Sequence, residues 1–236
     1  MKNELFTKYE NRMIDNNNKT LSDRVYDMIL NLIVEGELKL DERINSDDIA
    51  KSFGVSRTPV REALKSLEKT GLVHFKTYTG AYVRKLTIQE IEEIYCIRMQ
   101  LETFVLEKVI ENVTEVDIDQ LRSIQNEIEK RLNEKPINAK KLYYLNEEFH
   151  MQLYKISKMP KLCEIIENLW TNLSLYRILL ASKEDYSEEI KTEHKKYLSC
   201  LVNKQKDEIQ SMTQKNLLNH LKHVPMLVNE YYRSLD

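Results

Sequence analysis

Three basic side chains recur at intervals of four residues within GVSRTPVREALKSLEKTGLV, residues 54–73. Because an α-helix turns once every 3.6 residues, Arg57, Arg61 and Lys65 would share one face, and valine and leucine residues the opposite face. Arginine can donate two hydrogen bonds to guanine, and lysine can bind a DNA phosphate. A basic face is equally typical of a helix that is simply exposed to solvent. Whether this face binds DNA or is simply exposed depends on which elements of secondary structure surround the helix.

The segment contains signals for both ends of its helix. Ser56 is a residue type that caps helix N-termini, and Pro59 falls in the first turn, where its missing amide hydrogen costs no bond. Gly71 is a typical C-terminal stop. We therefore predict a helix between Ser56 and Gly71, with Arg57 and Thr58 at its leading end.

Two shorter patterns before this helix and one after it predict a complete small domain. Residues 21–36 have apolar side chains at helical spacing. In residues 46–54, Ser46 precedes two aspartates that suit a helix N-terminus. After residue 71, VHFKTYTGAYVRKL predicts two short strands around a turn near Gly80. Helix, helix, turn, helix and hairpin is the order of a winged helix.

In a helix-turn-helix unit, the N-terminal end of the recognition helix enters the major groove of DNA. This order of elements favours the DNA-binding interpretation of the basic face. The predicted DNA-binding residues are Ser56, Arg57, Thr58 and Arg61 on the helix, Lys65 further along it, and Lys76 and Gly80 on the wing.

The second part of the chain predicts helices almost throughout. Thr87 and Glu90 form a capping box for a helix whose predicted apolar face is Ile91, Ile94, Leu101 and Val105. Further helices are predicted from Thr114 to Pro136 and over 139–158, 160–181, 187–203 and 206–231. Pro225 is expected to kink or end the last of them. Six helices with short connections predict an antiparallel bundle.

The predicted fold is therefore mainly α. A flexible N-terminal arm covers residues 1–19, a winged helix-turn-helix covers 20–86, and an all-helical antiparallel bundle covers 87–236. A chain of 236 residues with 42% hydrophobic content has enough material for these two domains.

Composition limits the class of protein further. With 36 basic and 38 acidic residues the formal net charge is -2, so any nucleic-acid surface must be local. The three cysteines, Cys96, Cys163 and Cys200, lie far apart without a C-x-x-C pair, which argues against disulfides and a cysteine zinc site. No apolar stretch has the length of a signal peptide or a membrane span. We expect a cytoplasmic protein with no membrane partner.

Two sets of motifs resemble a known family. NSDDIAKSFGVSRTPVREALKSLEKTGLVHF is similar to the DNA-binding domain of GntR-type bacterial transcription regulators. The segments LTIQEIEEIYCIRMQLE (86–102), FHMQLYKISKMPKL (149–162), EHKKYLSCL (193–201) and HLKHV (220–224) resemble the FCD domain of the FadR subfamily. The resemblance covers about 21–231. It implies a homodimeric repressor that binds an inverted-repeat operator in double-stranded DNA and responds to a small molecule bound in the bundle.

The chain departs from the family pattern at two places on the DNA side. Asp47 stands where relatives have a basic residue, and its role as a charge at the helix start is favoured over a base contact. The wing turn reads Thr77, Tyr78, Thr79, Gly80 in place of proline, glycine, arginine, glycine. Both departures remove expected contacts, which leaves room for a different operator.

Four of the five histidines lie in the second part of the chain, although scattered histidines are more often core or surface residues than metal ligands. Many FCD proteins hold a divalent metal with three histidines and an aspartate. Carried over by motif, the resemblance implies a zinc or nickel site formed by His150, His194, His220 and, at the aspartate position, Asn146. Asn216 and His223 are the alternatives to His220.

The resemblance also implies an organic-acid effector. A carboxylate could bind such a metal while an arginine neutralises its remaining charge, and Arg98 and Arg177 are the candidates. A structural salt bridge to a glutamate is an equal alternative for either arginine. The competing interpretation is a metal-dependent hydrolase that uses the same histidines with Glu147 or Glu148 as base. Because no HExxH pattern, nucleophile elbow or phosphate loop is present, we expect no enzyme.

Overall fold

The computed structural model describes residues 19–34, 36–134, 138–181 and 184–233, without the side chains of 139, 140, 178–181 and 184–188. The predicted arm, 1–19, lies almost entirely outside the described residues. The chain divides into two compact units, Met1–Leu86 and Thr87–Asp236.

The first unit is a winged helix-turn-helix. Its elements are α1 (Leu21–Val34), β1 (Arg43–Ile44), α2 (Ser46–Ser52), α3 (Arg57–Lys69), β2 (Val73–Lys76) and β3 (Gly80–Val83). The strands form an antiparallel sheet in the order β1-β3-β2. The helices and the hairpin were predicted, but β1 was not, because two residues are too short for an alternating pattern.

The core of this unit lies between α1, α3 and the sheet. Val25 and Ile29 of α1 are fully buried, as are Val60 and Leu67 of α3 and Val83 of β3, each with at most 1% of its surface exposed. Because α3 buries its apolar face in this way, its basic face must point outward. At the N-terminus of α2, the side chain of Asn45 accepts a hydrogen bond from the Asp47 amide at 3.0 Å.

The second unit is helical throughout its described residues. Its elements are α4 (Ile88–Asn112), α5 (Glu115–Leu132), α6 (Ala139–Lys155), α7 (Pro160–Asn172), α8 (Ser174–Ala181), α9 (Glu184–Val202) and α10 (Lys206–Arg233). The predicted capping box between Thr87 and Glu90 is present at the start of α4. Among the described helices, none has the length and apolar character needed to cross a membrane.

Three helix boundaries in this unit differ from the prediction. The segment 160–181 is two helices, because the chain leaves helical geometry at Leu173. The last helix was predicted over 206–231, with Pro225 kinking or ending it; it contains Pro225 and continues to Arg233, so it does not end at the proline. Buried Val224 and Val228 on either side of Pro225 anchor the helix there, which offsets the hydrogen bond that proline cannot donate. The helix that starts after Thr114 ends at Leu132, and Pro136 lies outside the described residues.

The buried face of α4 also differs from the predicted one. Ile91 and Val105 are buried as expected, but Ile94 and Leu101 are only partly buried. Arg98 and Glu102 take the core positions instead, exposed by 1% and 2%. A helix that buries two charges in place of two apolar side chains must pair those charges inside the unit.

Candidate nucleic-acid interface and buried polar site

The outward face of α3 contains a row of three basic side chains. Arg57, Arg61 and Lys65 are exposed, whereas Val60 and Leu64, on the other side of the helix, are buried. Of the other residues predicted to bind DNA here, Thr58 is exposed and Ser56 occupies the N-cap position. The predicted helix start at Ser56 is confirmed, although the Ser56 side chain makes no capping hydrogen bond. That hydroxyl stays available to a ligand.

Arg57 is paired with an acidic residue of the preceding helix. Its Nε lies 2.5 Å from Asp47 Oδ1, and its Nη2 donates to Asp47 Oδ2 at 2.9 Å. The pair lies at the surface, with 72% of the Arg57 side chain and 45% of the Asp47 side chain exposed. Asp47 therefore holds Arg57 across the turn, in addition to its place in the first turn of α2.

The wing contains the remaining residues predicted to bind DNA. Lys76 pairs with Gly80 next to the turn of the hairpin, and its Nζ lies 4.3 Å from the centre of the Tyr82 ring. Gly80 has a φ of 104°, which favours glycine. Tyr78, at the tip, also has a positive φ, 66°, and is fully exposed.

Five of the six residues predicted to bind metal and effector line one small cavity in the second unit: Asn146, His150, His220, Arg98 and Arg177. The sixth, His194, is not among the lining residues. The six residues come from α4, α6, α8, α9 and α10. The cavity measures about 20 Å³, which is room for one water molecule or one ion. Of the two alternatives to His220, Asn216 lies in the wall, whereas His223 is exposed.

Hydrogen bonds fix the protonation pattern of His194. Its Nδ1 lies 2.9 Å from Gln125 Oε1, and Gln125 Nε2 donates to Glu129 Oε1 at 3.0 Å. Because the Gln125 oxygen must accept, Nδ1 of His194 bears the hydrogen and Nε2 keeps its lone pair. Phe149 stacks on the imidazole at 3.8 Å between ring centres. Nε2 is buried without a hydrogen-bonding partner among the described residues, which is the state of a metal-binding nitrogen.

His150 has the same tautomer for a similar reason. Its Nδ1 lies 3.4 Å from the Tyr154 hydroxyl, and that hydroxyl donates its hydrogen to Glu102 Oε2 at 2.8 Å. Nδ1 must therefore be the donor to Tyr154, which leaves the lone pair on Nε2. The ring centres of His150 and His194 are 5.2 Å apart.

The three histidines predicted to bind metal, His150, His194 and His220, are neutral at neutral pH. Burial, with Arg177 nearby, lowers the pKa of His194 to about 3 and that of His220 to about 3. Burial and the neighbouring His194 hold the pKa of His150 well below its usual value. Neutral imidazoles are the form that binds metal. In this conformation, however, the described residues contain no group of three or more His, Cys, Asp or Glu side chains that could hold an ion.

Glu102 organises the floor of the cavity and was missed as a site residue. It accepts hydrogen bonds from Arg98 Nε at 2.7 Å, from the Tyr154 hydroxyl at 2.8 Å and from Trp170 Nε1 at 2.8 Å. The salt bridge considered as the alternative role of Arg98 is thus present. Sequence spacing offered one signal, since Arg98 and Glu102 are four residues apart on one helix face.

Arg177 has a different environment. Its guanidinium carbon lies 3.4 Å from the centre of the Trp170 ring, and only 2% of the residue is exposed. Its Nε and Nη1 are buried without a hydrogen-bonding partner among the described residues. A buried guanidinium with unused donors can neutralise a carboxylate and donate hydrogen bonds to it.

An exposed basic helix in a winged helix-turn-helix, in one chain with a second, helical unit, is typical of DNA-binding transcription regulators. Comparison with known proteins specifies the family. Residues 21–83 match the family described as "Bacterial regulatory proteins, gntR family", and residues 93–219 match the FCD domain. The chain belongs to the gntR family of regulators with an FCD domain.

Individual relatives are of the same class. The HTH-type transcriptional regulator YdhC of Bacillus subtilis is 32% identical over 202 residues, which cover 84% of this chain and 90% of YdhC. The HTH-type transcriptional repressor RspR of Escherichia coli is 24% identical over 200 residues, covering 84% of this chain and 87% of RspR. The structure of E. coli McbR/YncC has the same fold, with a TM-score of 0.74 and 24% identity over 90% of this chain and 99% of that chain.

Proposed function

We propose that this regulator is a homodimeric repressor that binds an inverted-repeat operator and is controlled by a small carboxylate. The observation that supports DNA reading most strongly is the exposed face of α3, where Arg57 and Arg61 point outward while the opposite face is buried. Repression is supported by RspR, which is named a transcriptional repressor.

Each DNA-binding residue has a proposed role. Arg57 and Arg61 read base edges. Ser56 and Thr58, at the N-terminal end of α3, bind DNA phosphates. Lys65 on the helix and Lys76 and Gly80 on the wing contact the phosphate backbone. Because one short helix reads too few bases to find a site in a genome, two copies related by a dyad are needed, and their operator is an inverted repeat.

The proposed effector site is the cavity around Arg177. The two unused donors of its buried guanidinium suit a carboxylate, and Arg98 adds a second positive charge with a buried Nη1 that also lacks a partner among the described residues. Because the cavity holds only about one water molecule, an organic acid must open it further on binding. Such an opening would couple ligand binding to the conformation of the domain.

An Arg177→Gln variant should lose the response to carboxylates. We expect a screen of small mono-, di- and tricarboxylates to find one that raises the melting temperature of the wild-type chain, because a ligand that binds only the folded state stabilises it. The same acid should leave the Arg177→Gln chain unshifted from its own baseline. Arg122→Gln, at an exposed arginine of α5, is the matched control and should respond like the wild type. An unchanged shift in Arg177→Gln would remove Arg177 from the site.

The proposed metal site is formed by Asn146, His150, His194 and His220 and takes a divalent ion such as zinc or nickel. It is supported by the Nε2 lone pairs that the hydrogen bonds at Nδ1 leave on His150 and His194, while Asn146 and His220 lie buried in the wall of the cavity. When bound, the ion supplies a positive charge that a carboxylate can coordinate. Nothing among the comparisons or the described residues supports a hydrolase that uses this site.

Elemental analysis of the chain, purified without a histidine tag, should find about one divalent ion per wild-type chain. His150→Ala and His194→Ala should lose it, whereas Asn146→Asp should bind it more tightly because a carboxylate adds a charge. Asn216→Ala and His223→Ala test the alternative registers and should retain the ion. A metal-free wild-type chain that still responds to its carboxylate would refute the site.

A further inference from the structure

The ion pair between Asp47 and Arg57 has a particular geometry. Asp47 contacts the side edge of the guanidinium, through Nε at 2.5 Å and Nη2 at 2.9 Å. A guanidinium has five N–H donors in one plane. The side-on contact uses the hydrogen on Nε and one hydrogen on Nη2. Both hydrogens on Nη1 and the second hydrogen on Nη2 remain, and one from each nitrogen forms the end edge of the fork.

That end edge has the spacing that guanine requires. In the major groove guanine presents two adjacent acceptors, O6 and N7, whereas adenine presents N7 beside an amino donor. An arginine held side-on by a carboxylate can therefore bind guanine end-on at the same time. Adenine at that position would face the fork with a donor opposite a donor. The ion pair therefore leaves Arg57 able to select guanine over adenine. It also reduces the number of orientations that the long Arg57 side chain can adopt.

We propose that Asp47 is a specificity-determining residue, which fixes Arg57 in the orientation that selects one guanine in each half-site. This inference rests on the proposed base-reading role of Arg57. It gives Asp47 a function beyond that of a charge at the start of α2.

The charge of Asp47 has a second consequence. A carboxylate at a DNA-facing surface repels phosphates, so it weakens binding to every DNA sequence. The arginine that it orients favours the sequence with guanine at the contacted position. Because 72% of the Arg57 side chain and 45% of the Asp47 side chain are exposed, the pair contributes little to the stability of the fold. Removing Asp47 should therefore change DNA selectivity and general affinity in opposite directions and leave folding unchanged.

The test compares Asp47→Ala, the isosteric Asp47→Asn, Arg57→Ala and the double variant Asp47→Ala/Arg57→Ala as full-length chains. Each is titrated with the selected operator, with copies in which single guanines are replaced by adenine, and with unrelated duplex DNA. Arg57→Ala should lose preference for one guanine per half-site, by about 5- to 150-fold. Asp47→Ala should lose about 3- to 10-fold of the preference for that same guanine and bind unrelated DNA at least as tightly as wild type.

The double variant should lose no more preference than Arg57→Ala, because Asp47 acts through Arg57. Asp48→Ala is the matched control: it removes an exposed acid of the same helix turn that is not paired with Arg57, and should keep the preference. Unchanged preference in Asp47→Ala and Asp47→Asn, or an equal loss of affinity on all duplexes, overturns the inference. Unchanged preference in Arg57→Ala instead overturns the base-reading role itself, so the two failures are distinguishable.

Discussion

Replacing Glu102 with alanine should lower the free energy of unfolding of the FCD domain by about 3–5 kcal/mol. The carboxylate accepts hydrogen bonds from Arg98, Tyr154 and Trp170, and it is 2% exposed. Without it, a buried guanidinium loses its counter-charge and two further buried donors lose their acceptor. Removing one partner of a buried pair is costly for this reason, even where the pair as a whole stabilises little.

Urea unfolding of the full-length chain measures this effect. The chain contains one tryptophan, Trp170, which contacts Glu102, so its fluorescence reports the unfolding of this domain. Glu107→Ala is the matched control on the same helix, because Glu107 forms a surface ion pair with Lys206 at 2.9 Å. It should leave the unfolding midpoint nearly unchanged. Equal midpoints for Glu102→Ala and Glu107→Ala would show that Glu102 does not organise the cavity.

Replacing Arg57 or Arg61 with alanine should each cost about 1–3 kcal/mol of specific operator binding. Both side chains are exposed on the leading turns of α3, so their removal should leave the melting temperature unchanged. The loss should appear at particular base pairs, because a bidentate arginine discriminates guanine from the other bases. The measurement is the affinity of each variant for the operator and for single-base substitutions of it.

Lys65→Ala is the comparison for this prediction. We propose that Lys65 contacts phosphate, so its loss should weaken binding to all duplexes by a similar factor and reduce the salt dependence. Operator affinity that is unchanged in both arginine variants would remove α3 as the reading element.

The winged helix-turn-helix was predictable because its signals are local. Pro59 and Gly71 mark the ends of α3, and the spacing of its apolar residues assigns the buried face. The strand Arg43–Ile44 was not predictable, because its pairing with β3 depends on residues almost forty positions away. The sequence predicted that Asp47 lies at the start of a helix. Its pairing with Arg57 was not predictable, because it depends on how α2 packs against α3.

The buried site was predictable only in part. Periodicity does not show that His150, His194 and His220 meet, because they lie on three helices; the family resemblance suggested it. Hydrophobic periodicity assumes that charged residues are exposed. It therefore predicted the wrong buried face for α4, where Arg98 and Glu102 are buried as an ion pair. The break at Leu173 has no glycine or proline to mark it, so local sequence signals did not predict it.

The most direct test of the central claim, sequence-specific DNA binding by a symmetric dimer, is a titration of the full-length chain with three duplexes at two salt concentrations. The duplexes are an inverted repeat selected from random DNA, a single half-site and a scrambled sequence, each followed by fluorescence anisotropy. We expect the inverted repeat to bind at least about 1,000-fold more tightly than the scrambled duplex, with the half-site much weaker than the repeat. All three affinities should fall steeply as salt rises. Equal affinity for the three duplexes, or a half-site as tight as the repeat, would contradict the claim.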